Sequence, residues 1–385
     1  MGVLAYLDAY NADVKKPMIA VDVFAGAGGL SVGLKRAGFK VAAAIEINER
    51  ALLTYKTNHP DVCTIHKDVR SVEGESLLKE IGEPISVLAG CPPCQGFSSL
   101  TNPSTKSDPR NKLIEEITKL IATTRPMAVM IENVPGLAIR GKRRFRTFLR
   151  NLENMGYKPT WNVLQVADYG IPQNRRRLVL LAGRGFKIDM PDPTHNRYGT
   201  DGLKRWRTLR DAIGDMQCEK PLTLAQAKNR GGPQKFNWHV VRELSHNNLA
   251  RLRSTYAGKS RTDLPKRLRP KCHQEAEEGY TNVYGRMRWT QVPVTITGGC
   301  TTLSKGRFGH PQALRTISVR EAARIQTFPD SYTFPCSYMD SVCDMIGNAL
   351  PCDFAELLAR HVIKYLAAIK VNSRSEKSNN EFLAR

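Results

Sequence analysis

Residues Met18-Ile-Ala-Val-Asp-Val-Phe-Ala-Gly-Ala-Gly-Gly-Leu30 decide the fold. Met18 to Phe24 is a short apolar run bounded by turn residues, and it reads as a buried strand. Gly26, Gly28 and Gly29 allow a tight turn and let backbone pass close to a ligand. Leu30 to Ala37 then reads as a helix. A strand, a Gly-rich turn and a helix open many nucleotide-binding units, although the turn alone is a weak signal.

The pattern repeats downstream. Val41 to Ile45, Cys63 to His66, Ile85 to Ala89, Ala128 to Ile131, Trp161 to Val166 and Leu178 to Ala182 read as strands. Arg50 to Asn58, Leu113 to Thr123 and Phe145 to Met155 read as helices. Such alternation predicts a parallel, doubly wound α/β sheet, with ligands at the carboxyl ends of its strands. The expected organisation is a catalytic domain over 13–186, completed by 341–370. A smaller, loop-rich domain over 187–340 and a polar tail over 371–385 make up the rest. Ser318 and Glu321 form a capping box that starts a helix near the end of the second region.

Composition narrows the function. The 385 residues carry 58 Lys plus Arg against 36 Asp plus Glu, a formal net charge of +22. No apolar run is long enough to cross a membrane. The N-terminal stretch does not follow the order of a secretory signal. Nine Cys is an odd, scattered count that points to reduced thiols in a cytoplasm. The excess charge suggests a polyanion. It is clustered in Arg140 to Arg150, in Arg175 to Arg177, and in Arg251 to Lys271, which holds eight basic residues and one acid.

Three further constellations follow candidate strands. Glu46 stands where a carboxylate accepts hydrogen bonds from ribose hydroxyls, and Asp68 where it meets an adenine amino group. Phe24 is placed to pack on the adenine. Gly90-Cys-Pro-Pro-Cys-Gln-Gly-Phe-Ser-Ser99 contains a Cys-x-x-Cys, Cys91 and Cys94. By spacing alone it is a redox pair, half of a zinc site, or a loop presenting one nucleophile. No second ligand pair accompanies it, so no metal is expected. Ile131-Glu-Asn-Val-Pro135 places Glu132 at the same sheet edge. In Gln173-Asn-Arg-Arg-Arg177, alternate residues Gln173, Arg175 and Arg177 share one face.

Taken together, the chain resembles the DNA (cytosine-5) methyltransferases of bacterial type. The resemblance is carried in order by Asp-Val-Phe-Ala-Gly-Ala-Gly-Gly, Pro-Pro-Cys-Gln-Gly-Phe-Ser, Glu-Asn-Val, Gln-Asn-Arg-Arg-Arg, Arg-Glu-Ala-Ala-Arg-Ile-Gln-Thr-Phe-Pro and Gly-Asn-Ala-Leu-Pro, from Asp22 to Pro351. It implies a Rossmann-like, S-adenosylmethionine-dependent methyltransferase sheet with a smaller DNA-recognition domain. It implies Cys94, rather than Cys91, as the nucleophile, with Glu132, Arg175 and Arg177 as catalytic partners. The implied cofactor residues are Phe24, Gly26, Gly28, Glu46, Ile47, Asp68, Pro93 and Asn348. Ile47 stands where some members have a Trp that packs on adenine. Gln95, Arg110, Gln173, Arg251, Arg253, Arg267 and Arg269 are the expected contacts to double-stranded DNA. The stretch 98–112 falls where the family has a loop that closes over DNA, and Trp206, Trp238 and Trp289 read as local packing. The resemblance further implies a monomer of the bacterial cytoplasm, associated with the nucleoid through DNA, either paired with a cognate restriction endonuclease for the same site or solitary. Two other readings stand beside it. One is a transfer-RNA cytosine-5 methyltransferase; the other is a DNA-binding redox protein using Cys91 and Cys94.

Overall fold

The computed structural model describes residues 17–93, 113–274 and 281–383. Cys94, Gln95, Arg110 and the expected closing loop lie outside the described residues. Seven strands form one sheet: β1 (Ile19–Val23), β2 (Lys40–Ile45), β3 (Cys63–Ile65), β4 (Val87–Gly90), β5 (Ala128–Asn133), β6 (Tyr157–Gln165) and β7 (Arg176–Arg184). Their spatial order is β3-β2-β1-β4-β5-β7-β6. The order reverses at β1 and β4, where open α/β sheets leave a crevice.

One correction concerns direction. The sheet is not wholly parallel, because β7 runs antiparallel to both β5 and β6. The cause is the connection from β6, which is about ten residues long and too short for a helical crossover. It instead forms a 3-10 turn over Val166–Tyr169 and folds straight back.

Alternation along the strands builds two faces. On one, Ala20, Ala44, Val87, Ala89 and Met130 pack under α1 (Gly29–Ala37) and the early part of the last helix. On the other, Val21, Val23, Leu88, Val129 and Ile131 pack against α3 (Gly74–Ile81), α4 (Leu113–Thr124) and α5 (Lys142–Asn154). Helix α2 (Glu49–Asn58) follows β2 and is capped by Asn48.

Past Arg184 regular pairing nearly stops. His195–Asn196 pairs with Lys204–Arg205, and Leu222–Thr223 with Val240–Val241. The Ser318 capping box is present and opens α6 (Val319–Ile325). Helix α7 (Met339–Asn348) precedes α8 (Cys352–Leu383). Helix α8 runs through the described part of the stretch expected as a polar tail. A second apolar cluster joins Trp238, Trp289, Phe308, Ala322 and Ile346 to Ala27, Val32 and Ala51 of the first half. Trp206 donates from Nε1 to Asp168, and Trp238 to the Phe334 carbonyl, so both indoles are packing groups. No described helix is long and apolar enough to cross a membrane.

Candidate active site

The carboxyl ends of β1, β2, β4 and β5 open into one cleft of about 1600 Å³. Phe24, Gly26, Glu46, Ile47, Asp68, Pro93, Glu132, Arg177 and Asn348 all line it. Sequence positions as distant as Phe24 and Asn348 therefore meet, because α7 ends beside the Gly-rich turn.

The turn is held from below. Gly28 has φ +93°, a backbone state that a side chain strains. A Cβ there would also lie 2.6 Å from the Tyr332 hydroxyl and 2.8 Å from His59 Nε2. Tyr332 donates its hydroxyl hydrogen to the Ala27 carbonyl. Glu46 accepts from Gly26 N at 2.8 Å and from Asn48 N at 2.7 Å, which fixes its carboxylate at the rim. Asp68 caps the turn Val69–Ser71 and is held by Arg70, whose guanidinium keeps its carboxyl below the usual range. Beneath the turn, Asp22 is fully buried and accepts from Ser31 Oγ at 2.6 Å. Burial pushes its carboxyl up to about 7, against the Ser31 hydrogen bond.

The residues fit S-adenosylmethionine. The turn leaves no room for a Cβ at Gly28, a Cβ at Gly26 would project into space free of protein atoms, the fixed Glu46 carboxylate suits ribose hydroxyls, and Phe24 and Ile47 offer apolar surface.

The other half of the cleft carries charge. Glu132 ends β5 and is ion-paired to Arg177 of β7, Nε to Oε1 at 2.6 Å. Antiparallel pairing of β5 with β7 makes these diagonal neighbours. Burial lowers the Arg177 pKa, and Glu132 opposes the fall. Cys91 is different from a reactive thiol. Burial, then the charges of Glu132 and Asp22, push its pKa well up, so it stays protonated. Asn133 is buried and donates from Nδ2 to the Pro92 carbonyl at 3.0 Å, tying β5 to the Pro-Pro loop. No group of three or more metal-ligating side chains occurs among the described residues.

Several residues expected to meet DNA or the base have partners within the chain. Gln173 is fully buried, donates to Gln326 Oε1 at 2.7 Å and accepts from Ile296 N at 3.0 Å. It braces the two regions against each other. Arg175 is 2% exposed, and its terminal nitrogens donate to the carbonyls of Ile296, Gly347 and Ala349. It lines the cleft and positions the chain around Asn348. Arg251 donates to the Leu268 carbonyl and to Asn248, and Arg269 to the carbonyls of Leu264 and Thr262. Those two arginines hold their own loop together. Arg253 and Arg267 are exposed. Gln326, Asn133, Tyr332 and His59 were not legible as site supports. Asn133 and Gln326 lie within the Glu-Asn-Val and Arg-Glu-Ala-Ala-Arg-Ile-Gln-Thr-Phe-Pro motifs, which is the signal that could have found them.

Similarity to known proteins agrees with this geometry. The model of the C-5 cytosine-specific DNA methylase family matches residues 18–364. The chain is 35% identical over 360 residues to the type II methylase M.HgiDII of Herpetosiphon aurantiacus, covering 92% of this chain and 97% of that protein. It is 32% identical to the type II methyltransferase M1.BsuMI of Bacillus subtilis, over 89% of this chain and 80% of that one. Among solved structures, a prophage-encoded DNA modification methyltransferase of E. coli has the same fold. It superposes with a TM-score of 0.69 at 22% identity, over 91% of this chain and 99% of that one. A cleft joining a glycine turn to a Glu–Arg pair defines a methyltransferase of the Rossmann-like class. The chain belongs to the C-5 cytosine-specific DNA methylase family and is a DNA (cytosine-5) methyltransferase that uses S-adenosylmethionine.

Proposed function

We propose that the enzyme methylates carbon 5 of a cytosine flipped out of a specific double-stranded sequence, as the modification partner of a restriction endonuclease. The observation that carries this reading is the Glu132–Arg177 pair, buried at 2.6 Å across one cleft from the Glu46-anchored glycine turn. It supports a base and a cofactor held face to face. The named type II relatives support the restriction context.

Cys94 is the proposed nucleophile. Its sulfur forms a bond to carbon 6, and the ring electrons move toward carbon 5, which becomes electron-rich. Glu132 holds a proton at ring nitrogen 3 and accepts from the exocyclic amine. Arg177 donates to the ring carbonyl oxygen and stabilises the charge that develops. S-adenosylmethionine, when bound, supplies the methyl as an electrophile. Loss of the carbon 5 proton and expulsion of the Cys94 thiolate then restore the aromatic ring. Arg253 and Arg267 are the proposed phosphate contacts within the recognition segment. The enzyme works as a monomer in the cytoplasm.

Bisulfite sequencing of DNA from cells expressing the chain tests the reading. The expected result is full conversion resistance at one recurrent sequence, abolished by Cys94→Ala and largely kept by Cys91→Ala. Full activity of Cys94→Ala sinks the assignment. Methylation of transfer RNA in preference to duplex DNA sinks the substrate.

A further inference from the structure

Helix α5 carries a charge pattern that the active site does not use. Phe145, Phe148 and Leu152 face the core. On the opposite face Lys142, Arg143, Arg146 and Arg150 are exposed. Among the described residues none of these four has an ion pair, whereas their neighbour Arg144 is paired with Glu115. The face starts at the cleft rim, because Ile139 and Arg140 line the cleft and the helix begins at Lys142.

This arrangement is disfavoured within the isolated chain. The first turn holds Lys142, Arg143 and Arg144 with no acid, which sets cations at the positive end of the helix dipole. Arg143, Arg146 and Arg150 lie at helical spacings of three and four, where like charges repel. A face that is destabilising alone is favourable only when something negative covers it. Lys142 to Arg150 spans about 12 Å of helix. One DNA strand presents a phosphate for about every 3.4 Å of axis, so the face matches roughly three to four phosphates.

We propose that this face of α5 is a second, sequence-independent DNA contact, gripping the sugar-phosphate backbone of duplex that extends beyond the target site at the cleft rim. The inference rests on the DNA-methylating reading above. It differs from that reading because these contacts stabilise binding without touching the target base.

The test uses the full enzyme and the triple variant Arg143→Gln/Arg146→Gln/Arg150→Gln. Affinity is measured against salt for a duplex that extends a full turn past the target on each side. Each lost phosphate contact lowers the log-affinity against log-salt slope by about 0.9, so the triple variant should flatten it by up to about 2.7. The loss should be the same on a duplex lacking the target sequence. Methyl transfer at saturating DNA should not change, and thermal stability should rise as repulsion is removed. The charge-reversed variant, with Glu at the same three positions, should weaken binding further. An unchanged slope overturns the proposal, as does a loss confined to the target-bearing duplex. A larger loss on single-stranded RNA than on duplex assigns the face to RNA and overturns it too. If the wild-type enzyme methylates no duplex, the functional reading fails first; if it methylates and the slopes coincide, only the α5 contact falls.

Discussion

The sheet and the loop-rich segment that follows it solve the problem of a buried interior differently. In the sheet, backbone groups satisfy one another, and the core is Val, Ile, Leu and Ala. In residues 187–317 strand pairing is scarce, and arginines take over. Arg286 donates to the carbonyls of Leu252, His310 and Ala313 while only 5% exposed. Arg307 donates to the Gly258 carbonyl, and Arg269 to those of Leu264 and Thr262. From just beyond the segment, Arg320 donates to the carbonyls of Asn237 and Tyr332. A buried loop carbonyl needs a donor, and a guanidinium supplies five N–H groups in a planar fork. Part of the net charge of +22 is therefore structural. Counting basic residues overstates the DNA-binding surface.

The sharpest way to break this contrast is Arg286→Met. It keeps bulk but strands the carbonyls of His310 and Ala313, while that of Leu252 keeps the Thr255 N–H, and each unsatisfied buried group costs about 1–3 kcal/mol. We expect a loss of at least about 2 kcal/mol in denaturant unfolding. Ile117→Val in the sheet core should cost only about 1 kcal/mol. Equal stability of Arg286→Met and wild type would end the idea that arginines build this half.

Buried titratable groups also pull in opposite directions, and the sign follows the chemistry of the group rather than the region. His310 Nδ1 accepts from Gln312 N and Ala313 N, and burial lowers its pKa to about 4. An unfolded histidine titrates near 6.5, so the folded chain binds fewer protons between pH 4 and 6.5. Its contribution is fully present above 6.5 and is lost as pH falls toward 4. His59, beneath the glycine turn, has the same sign. Asp22, held up to about 7 in the sheet, has the opposite one. Its contribution is present below about 4 and is lost as pH rises through 7. Each group is worth on the order of 3 kcal/mol across its window. Unfolding free energy followed from pH 4 to 7 should rise more steeply in Asp22→Asn and more gently in His310→Gln. Identical profiles for the two variants would remove the distinction.

These examples show what a sequence carries. Met18 to Leu30 announces its strand, turn and helix because apolar periodicity and glycine act locally. Glu132 and Arg177 were placed by motif, and their pairing follows from strand register. The direction of β7 was available in the short β6–β7 connection but is masked by an otherwise alternating pattern. The intramolecular partners of Gln173, Arg175, Arg251 and Arg269 were not legible, for one physical reason. A polar side chain in a strand or loop looks the same in sequence whether it meets solvent, DNA or a buried carbonyl. Only the tertiary fold, which brings Ile296 and Gly347 to Arg175, decides.

Tyr332 joins the two regions, and its removal measures what the loop-rich side lends to the cofactor site. Tyr332→Phe keeps the ring that packs on Phe328 and Phe334 but loses the hydrogen bond to the Ala27 carbonyl. One such bond is worth about 0.5–1.5 kcal/mol, so the KM for S-adenosylmethionine should rise up to about tenfold. Turnover at saturating cofactor should be nearly unchanged. A drop in kcat with KM unaltered would show that the contact supports the base side instead.

The smallest effect separates two arginines of one loop. Arg267 is exposed, while Arg269 is committed to the carbonyls of Leu264 and Thr262. If free and committed guanidiniums differ as argued, Arg267→Gln should lower the salt slope of duplex binding by about 0.9 and leave stability alone. Arg269→Gln should do the reverse, costing about 1–2 kcal/mol in unfolding while the slope holds. Salt titrations and melting curves on the same two proteins decide it. Should Arg269→Gln flatten the slope without loss of stability, its carbonyl contacts yield to phosphate when DNA arrives. The line between structural and binding charge would then be drawn by the partner rather than by the fold.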